Sequence, residues 1–294
     1  MQPEEYLKPE VIKQVARLDL KARFLVEGFL AGLHSSPFKG FSVEFSEHRK
    51  YVPGDDIRSI DWKVFARTNR YYVKQYAAET NMECHLLVDC SGSMGYGYGI
   101  TKLQYATYLA AALSYIMLNQ QDPVGLVTFG KGLRSVMKPR AKRSHVISIL
   151  RHLDSTRATG RSNVAASLHL AAEMIRHRGL VVLFSDLLDE PEQVIEGLRH
   201  LSYRGHDVIV FQILDDREVR LPFDRFSRFV DVETGEEVPA DPDAVRAGYA
   251  RELGAFIGGY RDACRRENID FLQFDTATRF DAALTAYLMK RSGR

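Results

Sequence analysis

From residue 83 onward the apolar positions alternate between two rhythms. Short apolar runs at 85–88, 124–129, 133–138, 180–185, 208–214 and 271–274 read as strands, and several are continuous enough to be buried on both faces. Between them, apolar residues recur at helical spacing over 103–118, 144–153, 164–176, 191–201 and 245–266, with a last pattern at 280–290. Such alternation predicts an α/β fold: an open, mostly parallel sheet joined by right-handed crossovers and covered by helices. The runs at 124–129 and 133–138 are too close for a crossover, so they are expected to form a hairpin with one antiparallel edge. Residues 217–243 break the rhythm. Phe229, Val230 and Val232, the turn Glu233-Thr234-Gly235-Glu236, and Val238 predict a small hairpin inserted before the long helix.

The first eighty residues have another texture. Val11, Ile12, Val15, Leu18, Phe24, Leu25 and Phe29 predict a helix from about residue 9 to 33. Residues 38–79 are crowded with charge, aromatic rings and turn formers around Pro53-Gly54-Asp55-Asp56, and read as short strands and ordered loops. Two domains follow: 1–80, a helix with a small charged β-rich α+β segment, and 81–294, the α/β domain with its hairpin near 217–243. Arg49, Asp55, Asp56, Arg58, Asp61 and Arg67 are dense enough for a salt-bridged network, and Trp62, the only tryptophan, is expected to anchor a small core.

Composition narrows the function classes. A net charge of +2 on 294 residues gives no global pull towards nucleic acid or an anionic membrane. The local cluster Lys138, Arg140, Lys142 and Arg143 reads as a solvated helix start. Cys84, Cys90 and Cys264 form neither a paired framework nor a C-x-x-C, which fits a reducing compartment. The N-terminal residues lack the basic-then-apolar pattern of a signal peptide, and no apolar run reaches the ~20 residues that span a bilayer. The expected location is the cytoplasm, without membrane insertion.

The candidate chemistry sits where open α/β sheets bind ligands, at the carboxyl ends of strands. The first run of the α/β domain ends in Asp89-Cys90-Ser91-Gly92-Ser93-Met94. Asp89, Ser91 and Ser93 are two apart, so an extended backbone projects their oxygens to one side and turns Cys90 to the buried side. Gly92 is expected to allow a sharp turn between the hydroxyls. Asp186 ends the run at 180–185, and the loop Thr159-Gly160-Arg161-Ser162-Asn163 adds hydroxyls before a helix. Carboxylates and hydroxyls without a cysteine or histidine set suit Mg²⁺ or Mn²⁺ rather than Zn²⁺. The competing reading makes Ser93 and Ser162 helix caps and the aspartates solvated strand ends.

Asp89-x-Ser91-x-Ser93 with a downstream hydroxyl and Asp186 resembles the metal-ion-dependent adhesion site of von Willebrand factor A domains. Upstream, Glu44-Phe45-x-Glu47-x-Arg49-x-Tyr51-x-Pro53-Gly54-Asp55-Asp56-x-Arg58-x-Ile60-Asp61-Trp62, with Ala66-Arg67, Val26-Glu27-Gly28 and Phe38-Lys39-Gly40, is similar to the signature of the domain-of-unknown-function family numbered fifty-eight. That family joins such a segment to a von Willebrand A-like domain and tends to accompany MoxR-type AAA+ ATPases. The resemblance implies a metal site of Asp89, Ser91, Ser93, Ser162 and Asp186. The three serines would ligate directly, Ser162 standing where the adhesion site has threonine, and the aspartates would act through water. It also implies a partner protein that supplies an Asp or Glu carboxylate to the metal.

Enzyme chemistry finds less purchase. Gly125-x-x-x-x-Gly130-Lys131 mimics a P-loop, but its middle reads as buried strand and Gly132 replaces the required Ser/Thr. Ser91 stands where an aspartyl phosphatase would want its second Asp, and no G-x-S-x-G surrounds it. The expectation is a binding module and not an enzyme, an adaptor for a MoxR-type ATPase in protein or metal-cofactor maturation. The alternatives are a Mg²⁺-dependent hydrolase, or a metal-independent scaffold working through the charged N-terminal segment.

Overall fold

The computed structural model describes residues 42–52, 60–79, 82–119 and 121–278. They fall into two compact units that divide near residue 81.

In the first, strands β1 (Ser42–Lys50) and β2 (Tyr72–Glu79) pair antiparallel, with a bulge between Phe45 and Glu47. Between them lies a seven-residue helix, α1 (Trp62–Thr68), too short to leave a periodic signal. Asp61 starts it by accepting from the backbone N–H of Lys63 and Val64 at 2.9 and 3.2 Å, and Asn69 ends it in a left-handed turn. Asp61 is therefore a helix cap. Trp62 departs from expectation: it is 55% exposed and meets only the edge of Phe65 in the ring contacts described, while Ile60 and Val73 are the buried apolar residues among the described ones there. Phe65 instead stacks on Tyr71 with centroids 4.5 Å apart. The network expected of Arg49, Asp55, Asp56 and Arg58 lies outside the described side chains, as do the helices predicted at 9–33 and 280–290.

The second unit holds a six-stranded sheet of β3 (Glu83–Asp89), β4 (Val124–Phe129), β5 (Leu133–Arg140), β6 (Gly179–Ser185), β7 (Asp207–Leu214) and β10 (Asp270–Asp275), in the order β10-β7-β6-β3-β4-β5. All neighbours are parallel except β4 and β5, the hairpin that the spacing predicts. This is the open, mostly parallel α/β sheet that the alternation of runs predicts. The chain runs outward from β3 to β5, then returns to lay β6 on the other flank of β3. The order of strands therefore reverses between β3 and β6, and crevices form at the carboxyl ends of strands flanking such a reversal.

The apolar runs explain the layering. β4 and β6 are buried along their whole length, whereas the edge strand β5 alternates between half-buried and exposed. On one face Leu87, Val127, Val181, Leu183 and Val210 pack with helices α4 (Val164–Met174), α5 (Pro191–Tyr203) and α7 (Pro242–Arg266). Successive strand residues point to opposite faces, so Leu86 and Val88 look the other way, the side served by helix α2 (Lys102–Asn119). Helix α3 (Arg143–Ser155) follows β5; the basic cluster is exposed as expected, but only Lys142 and Arg143 stand at the helix start, while Lys138 and Arg140 belong to the edge strand β5. The middle of the P-loop mimic, residues 125–129, lies in buried β4. All three cysteines are buried and unpaired. Within 217–243 stand the end of a short helix, α6 (Asp216–Arg220), and a two-stranded hairpin of β8 (Ser227–Val230) and β9 (Glu237–Ala240). Among the described residues no helix is long and apolar enough to cross a membrane.

Candidate functional site

Asp89 ends β3 and Ser185 ends β6, and the two strand ends are tied directly. Ser185 Oγ donates to Asp89 Oδ2 at 2.6 Å and accepts the Leu187 N–H at 3.0 Å. The other oxygen of Asp89 accepts the Ser91 N–H at 2.9 Å, which curls the chain so that Ser91 Oγ and Ser93 Oγ come within 3.1 Å of one another. Asp89, Cys90, Ser91 and Ser93 are all buried, so burial does not set Cys90 apart from its neighbours. Burial, reinforced by the charge of Asp186, pushes the Asp89 carboxyl well above the usual carboxylate range, against the hydrogen bonds from Ser185 and Ser91.

Ser162 arrives on a separate loop that is stitched to the first. Gly92 N–H donates to Gly160 O at 2.7 Å, and Thr159 N–H donates to Cys90 O at 3.1 Å. Arg134 braces the same loop by donating to the carbonyls of Arg157 and Thr159. Helix α4 is capped by Asn163, whose side chain accepts the Ala166 N–H, while Asp189 accepts the N–H of Val164. Ser162 is thus not the cap. Its Oγ is buried and has no hydrogen-bond partner among the described residues.

The role expected of Gly92 changes. Its backbone is ordinary right-handed helical, φ −58° and ψ −40°, which any residue adopts. What needs glycine is space: a Cβ there would lie 3.1 Å from Gly160 O, 3.3 Å from Val232 O and 3.4 Å from Glu233 Cγ. The neighbours that demand it come from a loop and from the hairpin, both remote in sequence.

Asp186 is placed differently from its sequence partners. Its Oδ2 accepts from Lys102 Nζ at 2.8 Å, and Lys102 also donates to Glu218 Oε1 at 2.6 Å. Lys102 is 0% exposed. It occupies the first turn of an 18-residue helix, where a positive charge opposes the helix dipole, so its place there answers to the carboxylates. Burial alone would lower the Lys102 pKa; Asp186 and Glu218 outweigh that and raise it. Glu218 is itself fixed by a capping box with Asp215. Beyond Asp186 the chain turns at Leu187 in a left-handed conformation, φ 59°, and Tyr260 holds that carbonyl with a 3.2 Å hydrogen bond.

These residues can be tested for fit to a divalent cation. Asp89 and three hydroxyls are hard oxygen donors suited to Mg²⁺ or Mn²⁺. Ser162 Oγ, buried and unpartnered, is a group that such an ion would satisfy. Asp186 fits an indirect position, since Lys102 holds one oxygen and Leu188 N–H donates to the other at 3.2 Å. No cluster of three or more His, Cys, Asp or Glu that could hold a metal ion occurs among the described residues.

Residues 47–255 match the family model described as Protein of unknown function DUF58. Over 254 residues the chain is 31% identical to the uncharacterized protein Rv1480 of Mycobacterium tuberculosis, covering 84% of this chain and 79% of that one. The chain belongs to the DUF58 family.

Solved structures similar to this DUF58 protein include BatB of Bacteroides thetaiotaomicron, with 14% identity, TM-score 0.48, and coverage of 72% of this chain and 100% of that one. Another is an aerotolerance-related membrane protein of Bacteroides fragilis, with 15% identity, TM-score 0.49, and coverage of 72% and 98%. At such identities nothing about ligand or activity passes from them to this chain.

The sequence did not single out Ser185, Lys102, Glu218 or Glu233. Ser185 was legible in principle, because it precedes Asp186 at the end of a buried strand. Lys102 and Glu218 are joined across 116 positions, and local patterning carries no signal of that pairing. Glu233 was read only as part of a turn. In the structure it accepts from Ser93 N–H at 3.2 Å and from Ser162 N–H at 2.7 Å, bridging both serine-bearing loops.

Proposed function

We propose that this DUF58 protein is a metal-dependent protein-interaction module. Ser91, Ser93 and Ser162 would hold a Mg²⁺ (or Mn²⁺) ion, while Asp89 and Asp186 would orient bound water from behind. An ion held mainly by neutral hydroxyls keeps most of its charge, so it favours an anionic further ligand, here an Asp or Glu carboxylate of a partner protein. The observation that supports this most directly is the buried, unpartnered hydroxyl of Ser162 on a loop stitched to the Asp89–Ser93 loop. A helix cap would have used that hydroxyl, and a solvated loop would have exposed it.

The wider role we propose is that of a cytoplasmic adaptor for a MoxR-type AAA+ ATPase in protein or metal-cofactor maturation, acting by binding and not by catalysis. The ATPase partner rests on the family resemblance. The test is capture of that ATPase, and of partners from lysate, in Mg²⁺ and in EDTA, with folded Asp89→Ala and Ser91→Ala/Ser93→Ala proteins alongside. The reading expects a defined partner to be lost in EDTA and in both variants. Capture unchanged by chelation would sink it and favour a scaffold working through the N-terminal unit, and metal-dependent turnover of a phosphoester would favour a hydrolase.

A further inference from the structure

The β8–β9 hairpin rises from 217–243 and ends at the site. Glu233 lies 140 positions from Ser93, yet its carboxylate takes one hydrogen bond from each serine-bearing loop, Oε1 from Ser93 N–H and Oε2 from Ser162 N–H. Each oxygen keeps a further lone pair. The hairpin packs closely on this loop: a Cβ on Gly92 would lie 3.3 Å from Val232 O, a tight contact, and 3.4 Å from Glu233 Cγ.

Glu233 is also aimed by its own turn. Asp231 Oδ1 accepts the N–H of Glu233 at 2.7 Å and of Thr234 at 3.2 Å, and Gly235, at φ 74°, closes the turn with a 2.8 Å bond to Asp231 O. Those bonds hold the Asp231 carboxyl below its ordinary range. The base of the hairpin is anchored by the edge-to-face pair of Phe223 and Phe229. The strands are only four residues each, and Val230, Val232 and Val238 are exposed. A two-stranded hairpin of that kind is marginal alone, so its tip can leave without disturbing the sheet.

We propose that the hairpin is a built-in occupant of the candidate metal site. Glu233 supplies the carboxylate that a partner's acidic side chain would otherwise bring, and an acidic partner engages only by displacing the hairpin tip. This rests on the metal-site reading above and adds a regulator to it: the site is closed by its own chain until a competing carboxylate arrives.

The test is Mn²⁺ titration, followed by electron paramagnetic resonance, of the full chain and of its Glu233→Gln, Glu233→Ala and Ser91→Ala/Ser93→Ala variants, with and without acetate as a free carboxylate. Hydrogen exchange of residues 231–236 is measured alongside. The proposal expects the unmodified chain to bind one Mn²⁺, to ignore millimolar acetate, and to slow exchange of the tip when the ion is present. Both Glu233 variants should bind at least tenfold more weakly, and acetate should restore most of the loss in Glu233→Ala. Mn²⁺ binding that needs the serines but is the same within twofold in the Glu233 variants, with no acetate effect, would overturn the hairpin proposal alone. Tighter binding in those variants would overturn it too, because Glu233 would then exclude the ion. No Mn²⁺ binding by any of the proteins would sink the metal reading and the hairpin proposal with it.

Discussion

Lys102 Nζ donates to Asp186 Oδ2 at 2.8 Å, with both side chains out of water and Asp89 held nearby at the end of the neighbouring strand. The ammonium neutralises one carboxylate of a site that gathers several. Asp89 and Glu233, by contrast, are met by hydroxyl and amide donors in the described hydrogen bonds.

Removing that ammonium strands a buried charge. Lys102→Met should lower stability by about 3–5 kcal/mol, the usual penalty for breaking a buried pair from one side. Urea unfolding in EDTA measures it. If the site takes a divalent cation, millimolar Mg²⁺ should recover part of the loss, whereas the unmodified protein should gain less. A Lys102→Met protein as stable as its parent would mean that water reaches Asp186.

Ser162 gives a sharper separation of folding from binding. Its hydroxyl makes no hydrogen bond, so Ser162→Ala removes a buried polar group that has no partner. In EDTA the variant should be as stable as the parent or slightly more so, because deleting an unsatisfied group is neutral to favourable. Its Mn²⁺ affinity should fall at least about tenfold, since losing even a group that only orients a ligand costs about 10–100-fold. A large loss of stability in EDTA would reveal a structural role for the hydroxyl.

Gly92 tests the close approach of the hairpin. Gly92→Ala keeps the φ and ψ that the position needs, but places a methyl 3.1 Å from Gly160 O and 3.3 Å from Val232 O. Overpacking of this kind costs about 1–3 kcal/mol. The expected readout is faster hydrogen exchange at 231–236 with the sheet amides unchanged. Uniformly faster exchange would mean instead that the whole domain loosened.

The pH dependence of stability should carry the mark of His85. Burial, with the charges of His206 and His177, lowers its pKa to about 4 from an ordinary 6.5, although Glu83 Oε2 lies 3.5 Å away and pulls in the other direction. A histidine depressed in the folded state costs nothing above pH 6.5, where it is neutral folded or unfolded. Between 6.5 and 4 the unfolded chain binds a proton that the folded one refuses, so stability falls by about 2–3 kcal/mol across that window. Asp89, raised in the folded state, acts in the opposite direction over the same window. The His85 contribution is therefore read as the difference between parent and His85→Gln in urea midpoints from pH 7.5 to 4, the variant losing less stability on acidification.

The layered sheet was legible from residue 83 onward because its signal is local. Continuous apolar runs such as Val181, Val182, Leu183 and Phe184 can be satisfied only between two layers, and the three-residue gap between β4 and β5 leaves room for nothing but a hairpin. The Asp89, Ser91 and Ser93 motif was legible too, but an extended backbone is not what gathers it: the strand ends at Asp89, the Ser91 N–H turns back onto that carboxylate, and a short 3-10 turn begins at Ser93. Trp62 was misjudged because hydrophobicity states a preference for burial, while the cap at Asp61 and the stack of Phe65 on Tyr71 decided which rings found partners. Only the tertiary structure could pair Lys102 with Asp186, leave Ser162 Oγ without a partner, or set Glu233 on the amides of Ser93 and Ser162. Those relationships join residues up to 140 positions apart through single contacts, and a single contact leaves no periodicity in a chain. The sequence by itself determined the frame and one edge of the site; how its charges are balanced, and what closes it, was decided where distant loops meet.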